Sequence, residues 1–251
     1  MSQHLHRTLL AAVCATAVLG LAACSSATQT SAVPAASGAA SDAPSATTAT
    51  TPAAQADPNA GVSTGTKLAS LLLPSGAVPK SLKADPSGSQ NSGDVFIEPS
   101  TAAVSTAKAC DALGATNWIT AAGIGSGSFA GNDFTDSYSN MFAQQIDAFR
   151  GSDAHTVIAH LKHVFAECAT FKLVQSGTAY TAKLTTKSIP GLGDEAVQAV
   201  ITSKSFSGGT TLVAARVGNR VVTTLYNDQN TTGSEGVTLT RHLVKNVAAA
   251  G

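Results

Sequence analysis

Residues 25–60 constrain the fold of this chain most, because they cannot form a packed core. This segment, SSATQTSAVPAASGAASDAPSATTATTPAAQADPNA, contains no aromatic residue, no Leu or Ile, and no Lys or Arg. Such a composition buries too little apolar surface to offset the conformational entropy that is lost on ordering. We therefore predict a disordered Ala/Ser/Thr/Pro tether over residues 24–61 and one folded domain over residues 62–251.

An apolar stretch precedes the tether and runs from Leu9 to Ala23. It is about fifteen residues long, whereas a membrane-spanning helix needs about twenty. A weakly basic segment with Arg7 lies before it. This arrangement is typical of a secretory signal peptide, which we place at residues 1–23, and it predicts a protein that works outside the cytosol.

The residues Leu21-Ala22-Ala23-Cys24 resemble the lipobox of bacterial lipoproteins, which consists of Leu, two small residues and Cys. The resemblance implies that Cys24 receives a diacylglyceryl group and becomes the N-terminus after cleavage. Two or more acyl chains hold a protein on a bilayer where one does not. We therefore predict a lipid anchor at Cys24 on the outer face of the cell membrane, with the membrane as a partner. In the alternative, an ordinary secretory signal, Cys24 has no role.

The cysteine count favours one disulfide. The chain has four Cys. Cys14 is removed with the signal peptide and Cys24 is lipidated, which leaves Cys110 and Cys168 outside the cytosol. An even pair in an oxidising compartment most simply forms a disulfide. A metal site is the weaker alternative, because neither residue lies in a Cys-x-x-Cys pair. We predict no metal and no cofactor.

The clearest helix is predicted from Ser152 to Phe171. At 100° per residue its apolar side chains fall within an arc of about 140°. They are Val157, Ile158, Leu161, Val164, Phe165, Cys168 and Phe171. Cys168 therefore lies on the buried face. A disulfide to Cys110, which lies on a short predicted helix over residues 106–113, would fix the long helix to the N-terminal part of the domain.

The second half of the domain has the β-branched runs and two-residue alternation that are typical of strands. Strands are predicted at residues 136–146, 179–187, 196–203, 210–217 and 220–226. Gly218 and Asn219 both tolerate positive φ and join the last two strands in a tight hairpin. A final helix is predicted to start at Ser234-Glu235. The predicted fold class is α+β: a twisted antiparallel sheet of about four to six strands, flanked by helices.

His160, His163 and Glu167 form the most enzyme-like cluster, because their spacing places them on one polar side of the long helix. Two imidazoles and a carboxylate on one face can hold zinc, but the His-Glu-x-x-His pattern is absent. A solvated helix face is the favoured interpretation. A cell-envelope hydrolase or a metal-binding protein is the alternative.

Two short motifs carry weaker signals for catalysis. Asp194 and Glu195 in GLGDEA would point to opposite faces of a strand, so a structural turn is favoured over an acid–base pair. Ser126 and Ser128 lie among glycines but lack the spacing of a nucleophile elbow or of a phosphate-binding loop. We predict no catalytic residue.

Aromatic residues are concentrated in one segment of an otherwise aromatic-poor chain. They are Trp118, Phe129, Phe134, Tyr138 and Phe142. Such residues most often belong to the core. The alternative is the wall of an apolar ligand cleft, in which Trp118, Tyr138 and Phe142 are the candidate ligand-binding residues.

The order of these features resembles a known family. After the lipobox and tether come LASLLLP (68–74), ACDAL (109–113), FAECATF (165–171), GLGDEA (191–196) and LVAARVGNRVVTTLY (212–226). This order resembles that of actinobacterial lipoproteins with a domain similar to the extracellular sensor domain of PknH-type serine/threonine kinases. The resemblance spans roughly residues 66–247. It implies a strongly twisted antiparallel sheet flanked by helices, with a cleft that binds an unidentified ligand.

We therefore expect a membrane-anchored extracytoplasmic lipoprotein with a non-catalytic, sensor-like domain. Its further partner would be an unidentified small molecule, lipid or envelope component, and an envelope protein-interaction module is an alternative. Nucleic acid is not expected as a partner, because 15 Lys and Arg balance 15 Asp and Glu and no basic stripe is present.

The lipid anchor predicts the effect of substituting Cys24. In the bacterial host, the Cys24→Ala variant should lose the acylated N-terminal peptide that mass spectrometry detects in the wild type, and it should lose the thioether-linked lipid itself. Cys14→Ala is the matched control, because Cys14 lies in the predicted signal peptide, and it should leave acylation unchanged. An acyl mass that persists in Cys24→Ala would contradict the prediction.

Overall fold

The computed structural model describes residues 56–100, 103–175 and 177–251. The predicted signal peptide, Cys24 and the tether up to residue 55 lie outside the described residues. The helices are α1 (Gly65–Ala69), α2 (Thr106–Ala112), α3 (Asp153–Glu167) and α4 (Glu235–Ala249), with 3₁₀ turns at Ser75–Ala77 and Trp118–Ala122. The strands are β1 (Lys83–Asn91), β2 (Ser128–Thr135), β3 (Met141–Ala148), β4 (Thr170–Gln175), β5 (Thr178–Ser188), β6 (Glu195–Ser203), β7 (Gly209–Val217) and β8 (Arg220–Asp228).

All eight strands form one antiparallel sheet in the order β1-β2-β3-β8-β7-β6-β5-β4. The predicted α+β class is confirmed. The order consists of two runs of strands that are consecutive in sequence, β1–β3 and β4–β8, which are joined by the pairing of β3 with β8. The predicted hairpin between β7 and β8 is also confirmed, and Gly218 in its turn has φ 62°.

The sheet is larger than predicted, because three strands lack a clear strand pattern. None of the nine residues of β1 (KADPSGSQN) is buried, and the strand pairs irregularly between Asp85 and Gln90. Its Pro and Gly are typical of turns, but both are tolerated at the edge of a sheet. β2 begins at Ser128, within the glycine-rich segment that also contains Ser126. Phe171 belongs to β4 and not to α3, which ends at Glu167.

Both faces of the sheet are covered by helices, so two hydrophobic cores form. On one face, α2, α3 and the turn at Trp118–Ala122 pack around Trp118, Ile158 and Phe165. On the other face, α1 and α4 pack around Phe142, Val222 and Leu243. The central strands are therefore buried on both sides, and every residue from Arg220 to Tyr226 is buried.

The disulfide between Cys110 and Cys168 is confirmed. Cys110 lies in the last turn of α2 and Cys168 caps the C-terminus of α3, so the bond fixes these two helices to each other. The two residues are 58 positions apart. Both are buried, at 7% and 0% exposed, which protects the bond from solvent.

Within the described part of the chain, no helix is long and apolar enough to cross a bilayer.

The disulfide predicts a loss of stability when the link is removed. For a loop of this length the chain-entropy model gives about 4 kcal/mol as an upper figure. The double variant Cys110→Ser/Cys168→Ser should lose up to this much free energy of unfolding in a urea titration. The reduced wild type is the control, and it should unfold at nearly the same urea concentration as the double variant. A double variant as stable as the oxidised wild type would contradict the prediction.

Candidate functional site

A groove of about 720 Å³ lies on the sheet face that also carries α2 and α3. Its floor crosses six neighbouring strands of the sheet, in the order β3-β8-β7-β6-β5-β4. The strand residues that line it include Met141, Leu225, Thr210, Ile201 and Leu173. The residues that follow α2 form one wall. We call this feature the transverse groove.

The end of the transverse groove at β4–β6 is apolar. Leu113 and Ile201 are fully or almost fully buried beneath it, and Leu173 is partly buried. Tyr180 and Phe206 form an aromatic pair with ring centroids 6.2 Å apart and planes at 89°. Edge-to-face contacts of this kind add to the stabilisation that burial alone gives.

Gly114 allows the wall to approach this apolar end closely. A Cβ atom at this position would lie 2.7 Å from Cδ2 of Leu173, so a side chain would push α2 away from β4 unless Leu173 moved.

The opposite end, at β3 and β8, is polar and held by hydrogen bonds. Asn227 Nδ2 donates to the carbonyl oxygen of Ser139 at 2.9 Å, and Thr210 Oγ1 donates to Asn227 Oδ1 at 3.2 Å. The backbone N–H of Gln229 donates to Asn140 Oδ1 at 2.8 Å. Tyr138 lies at this end and is 77% exposed.

The three candidate ligand-binding aromatics do not share one cleft. Trp118 is fully buried in the α2/α3 core, where its ring lies 5.8 Å from that of Phe165, and its Nε1 has no hydrogen-bond partner among the described residues. Phe142 is fully buried in the other core, between Phe134 and Tyr226. Successive residues of a strand face opposite sides, so Phe142 points away from the groove that Met141 lines. Tyr138 alone lines the transverse groove.

The polar face of α3 is occupied by local contacts. His160 Nδ1 donates to the carbonyl oxygen of Ala122 at 2.9 Å, and His163 Nε2 lies 3.3 Å from Glu167 Oε1. Thr106 Oγ1 donates to Glu167 Oε2 at 3.2 Å. A smaller cavity of about 590 Å³ lies beside these side chains. Across the described residues, no three His, Cys, Asp or Glu side chains are arranged to hold a metal ion.

Asp194 and Glu195 both bind Arg216, because Asp194 lies in the turn before β6 and only Glu195 lies in the strand. Arg216 donates to Asp194 Oδ2 and to Glu195 Oε1, each at 3.0 Å. His155 Nδ1 lies 2.5 Å from Glu195 Oε1. The hydrogen bond to His155, followed by those to Arg216, lowers the pKa of Glu195 despite partial burial. The motif thus connects β6, β7 and α3 through an ion-pair network.

The two serines of the glycine-rich segment also have structural roles. Ser128 Oγ donates to the carbonyl oxygen of Ser63. Ser126 Oγ donates to Asp147 Oδ1 at 2.8 Å, and Gln145 Nε2 donates to Asp147 Oδ2 at 2.8 Å. Asp147 is only 3% exposed, and burial raises the pKa of its carboxyl to about 6 although both hydrogen bonds lower it.

Tyr180 and Phe206 were not recognised as site residues from the sequence. They lie 26 positions apart, in β5 and in the turn between β6 and β7, and the sheet topology brings them together. The sequence shows that both residues are aromatic and lie in or near predicted strands. Aromatic residues at such positions also occur on ordinary sheet surfaces, so the sequence did not indicate a groove.

The arrangement of this sheet and its helices is shared with a solved structure. The chain is similar to the crystal structure of the extracellular domain of PknH from Mycobacterium tuberculosis, with a TM-score of 0.55 and 15% sequence identity. The match covers 75% of this chain and 98% of that chain. No protein-family model and no curated protein matches the sequence. The predicted PknH-like fold is confirmed, and the family of lipoproteins stays a prediction.

The buried Asp147 predicts a pH-dependent stability. Its pKa is about 6 in the folded protein and about 4 when unfolded, so the folded state holds a proton that the unfolded state releases. This contribution to the free energy of unfolding therefore falls as pH rises from about 4 to 6, by on the order of 3 kcal/mol. Asp147→Asn should lack this fall in urea titrations.

Asp133→Asn is the matched control, because burial and the charge of Asp85 raise the pKa of this half-buried carboxyl to about 6 as well. Asp133→Asn should lose only the pH dependence that the carboxyl of Asp133 contributes, and it should keep the part that comes from Asp147. If the stability difference between wild type and Asp147→Asn is constant between pH 4 and 7, the assignment to Asp147 is wrong.

Proposed function

We propose that this protein is an extracytoplasmic lipoprotein, held on the outer face of the cell membrane through Cys24, whose domain binds a ligand without transforming it. The ligand is a small molecule, a lipid or another envelope component. Residues 24–61 would act as a tether between the bilayer and the domain.

The transverse groove carries this proposal. At about 720 Å³ it falls in the size range of small-molecule sites, and it combines an apolar floor with a few polar side chains. The groove is built on strands, and its polar end is fixed by hydrogen bonds from Asn227 and Thr210. A site of this kind is largely formed before a ligand enters.

Two further observations support a binding domain. The similar structure is an extracellular domain, which agrees with an export signal and with the disulfide. The side chains that were the best candidates for hydrolysis, His160, His163 and Glu167, are paired with neighbouring groups. They lie beside the smaller cavity and not in the transverse groove.

Native mass spectrometry tests whether the domain retains a ligand. The mature chain from Ser25 to Gly251 would be exported in the bacterial host without the lipid anchor and purified without detergent. We expect a population whose mass exceeds that of the polypeptide, and the excess should disappear under denaturing conditions. The polypeptide mass alone, in every preparation, would contradict ligand binding.

Two Leu→Ala variants, one in the groove and one in the opposite core, serve as test and control for that measurement. Leu225 forms part of the groove floor and is 2% exposed, whereas Leu243 is fully buried in the core on the opposite face. Leu225→Ala and Leu243→Ala should lose comparable amounts of stability, on the order of 2–5 kcal/mol. Only Leu225→Ala should change the retained ligand population, provided that both variants are folded by circular dichroism.

A further inference from the structure

We propose that the transverse groove takes an elongated, uncharged amphiphile, with a hydroxylated head group at the β3/β8 end and an alkyl chain at the β4–β6 end. This inference rests on the proposed function, because it names the class of ligand for the same site.

The length of the groove favours an elongated ligand. Its floor runs from Met141 on β3 to Leu173 on β4, across five strand-to-strand steps. Neighbouring strands lie about 4.8 Å apart, so the path is about 24 Å long before sheet curvature shortens it. A single sugar ring or a single amino acid would fill only part of it.

The apolar end suits an alkyl chain. Leu173 provides aliphatic surface there, above the buried side chains of Leu113 and Ile201. The rings of Tyr180 and Phe206 border it. Transfer of a chain from water to such a surface is favourable in proportion to the apolar area that is buried.

The polar end suits a head group with hydroxyls. Ser139, Asn227 and Gln229 line it with hydroxyl and carboxamide groups, which can both donate and accept hydrogen bonds. Tyr138 adds an exposed ring with a phenolic hydroxyl. Polar groups are thus concentrated at this end of the groove, above the apolar side chains of Met141 and Leu225, which suits the head-group end of an amphiphile.

The charges of the described lining residues do not favour a ligand with an anionic head group. Among the described residues that line the groove, none is Lys, Arg or His, and the one acidic residue is Asp111 at the wall. Phosphate and carboxylate groups are normally bound by Arg and Lys side chains. An anionic head group would lose its hydration here and gain no cationic partner.

Isothermal titration calorimetry with three matched probes tests the ligand class. The protein is the mature Ser25–Gly251 chain, exported so that the disulfide forms. The probes are decyl maltoside below its micelle-forming concentration, decyl sulfate with the same chain and an anionic head, and maltose without a chain. Decyl maltoside should bind at one saturable site, at least tenfold more tightly than either of the other two.

Charged variants test the orientation. Phe206→Lys should weaken decyl maltoside binding at least tenfold, because Phe206 lines the apolar end and the substitution places a charge beside the alkyl chain. Val95→Lys is the matched control, since Val95 is 76% exposed and does not line the groove, and it should leave the affinity unchanged. Gln229→Lys should strengthen decyl sulfate binding at least fivefold, because it places a cation beside the head group.

The outcomes separate this inference from the proposed function. Equal affinity for maltose and decyl maltoside, or tighter binding of decyl sulfate to the wild type, overturns the inference and leaves a ligand-binding protein. The same holds if none of the probes binds while chain purified from the host retains a ligand mass. If no probe binds and no mass is retained, both are overturned.

Discussion

The pairing of β3 with β8 is the interaction on which the rest of the structure depends. Within each run, β1–β3 and β4–β8, paired strands are consecutive in sequence, and the pairing of β3 with β8 joins the two runs into one sheet. It brings Met141 next to Asn227, so closing this contact costs more chain entropy than any hairpin does. The burial of β8 on both faces offsets this cost, because its side chains contribute alternately to the two hydrophobic cores.

The same pairing creates the transverse groove. Tyr138 and Met141 belong to the first run of strands, β1–β3. The other lining residues that lie in strands belong to the second run, β4–β8. The helices of this face, α2 and α3, do not cover the whole width of six strands, and the uncovered part is the groove. The site is therefore a product of the complete sheet and not of either half of it.

The sequence predicted those features that depend on local pattern. The apolar stripe of α3, the Gly218-Asn219 hairpin and the pairing of Cys110 with Cys168 each follow from spacing or from residue type, and each is present. β1 was missed because an exposed edge strand has no alternation to detect. The groove was missed for a related reason: Tyr180 and Leu173 become neighbours of Phe206 and Ile201 only through long-range pairing, which periodicity does not encode. The aromatic segment from Trp118 to Phe142 is divided for the same reason, since Trp118 and Phe142 lie in two different cores.

The position of the disulfide determines how rigid the groove is. Leu113 and Gly114, which form part of its wall, follow Cys110 within one helical turn, and Cys168 precedes β4 by two residues. One covalent bond thus anchors the wall and the outermost strand of the floor to the end of the same helix, α3. Their relative position is established when the protein is oxidised, before any ligand arrives. The conformational entropy of this wall is therefore lost during folding and not on binding. Its ordering does not reduce the affinity for the ligand of the groove.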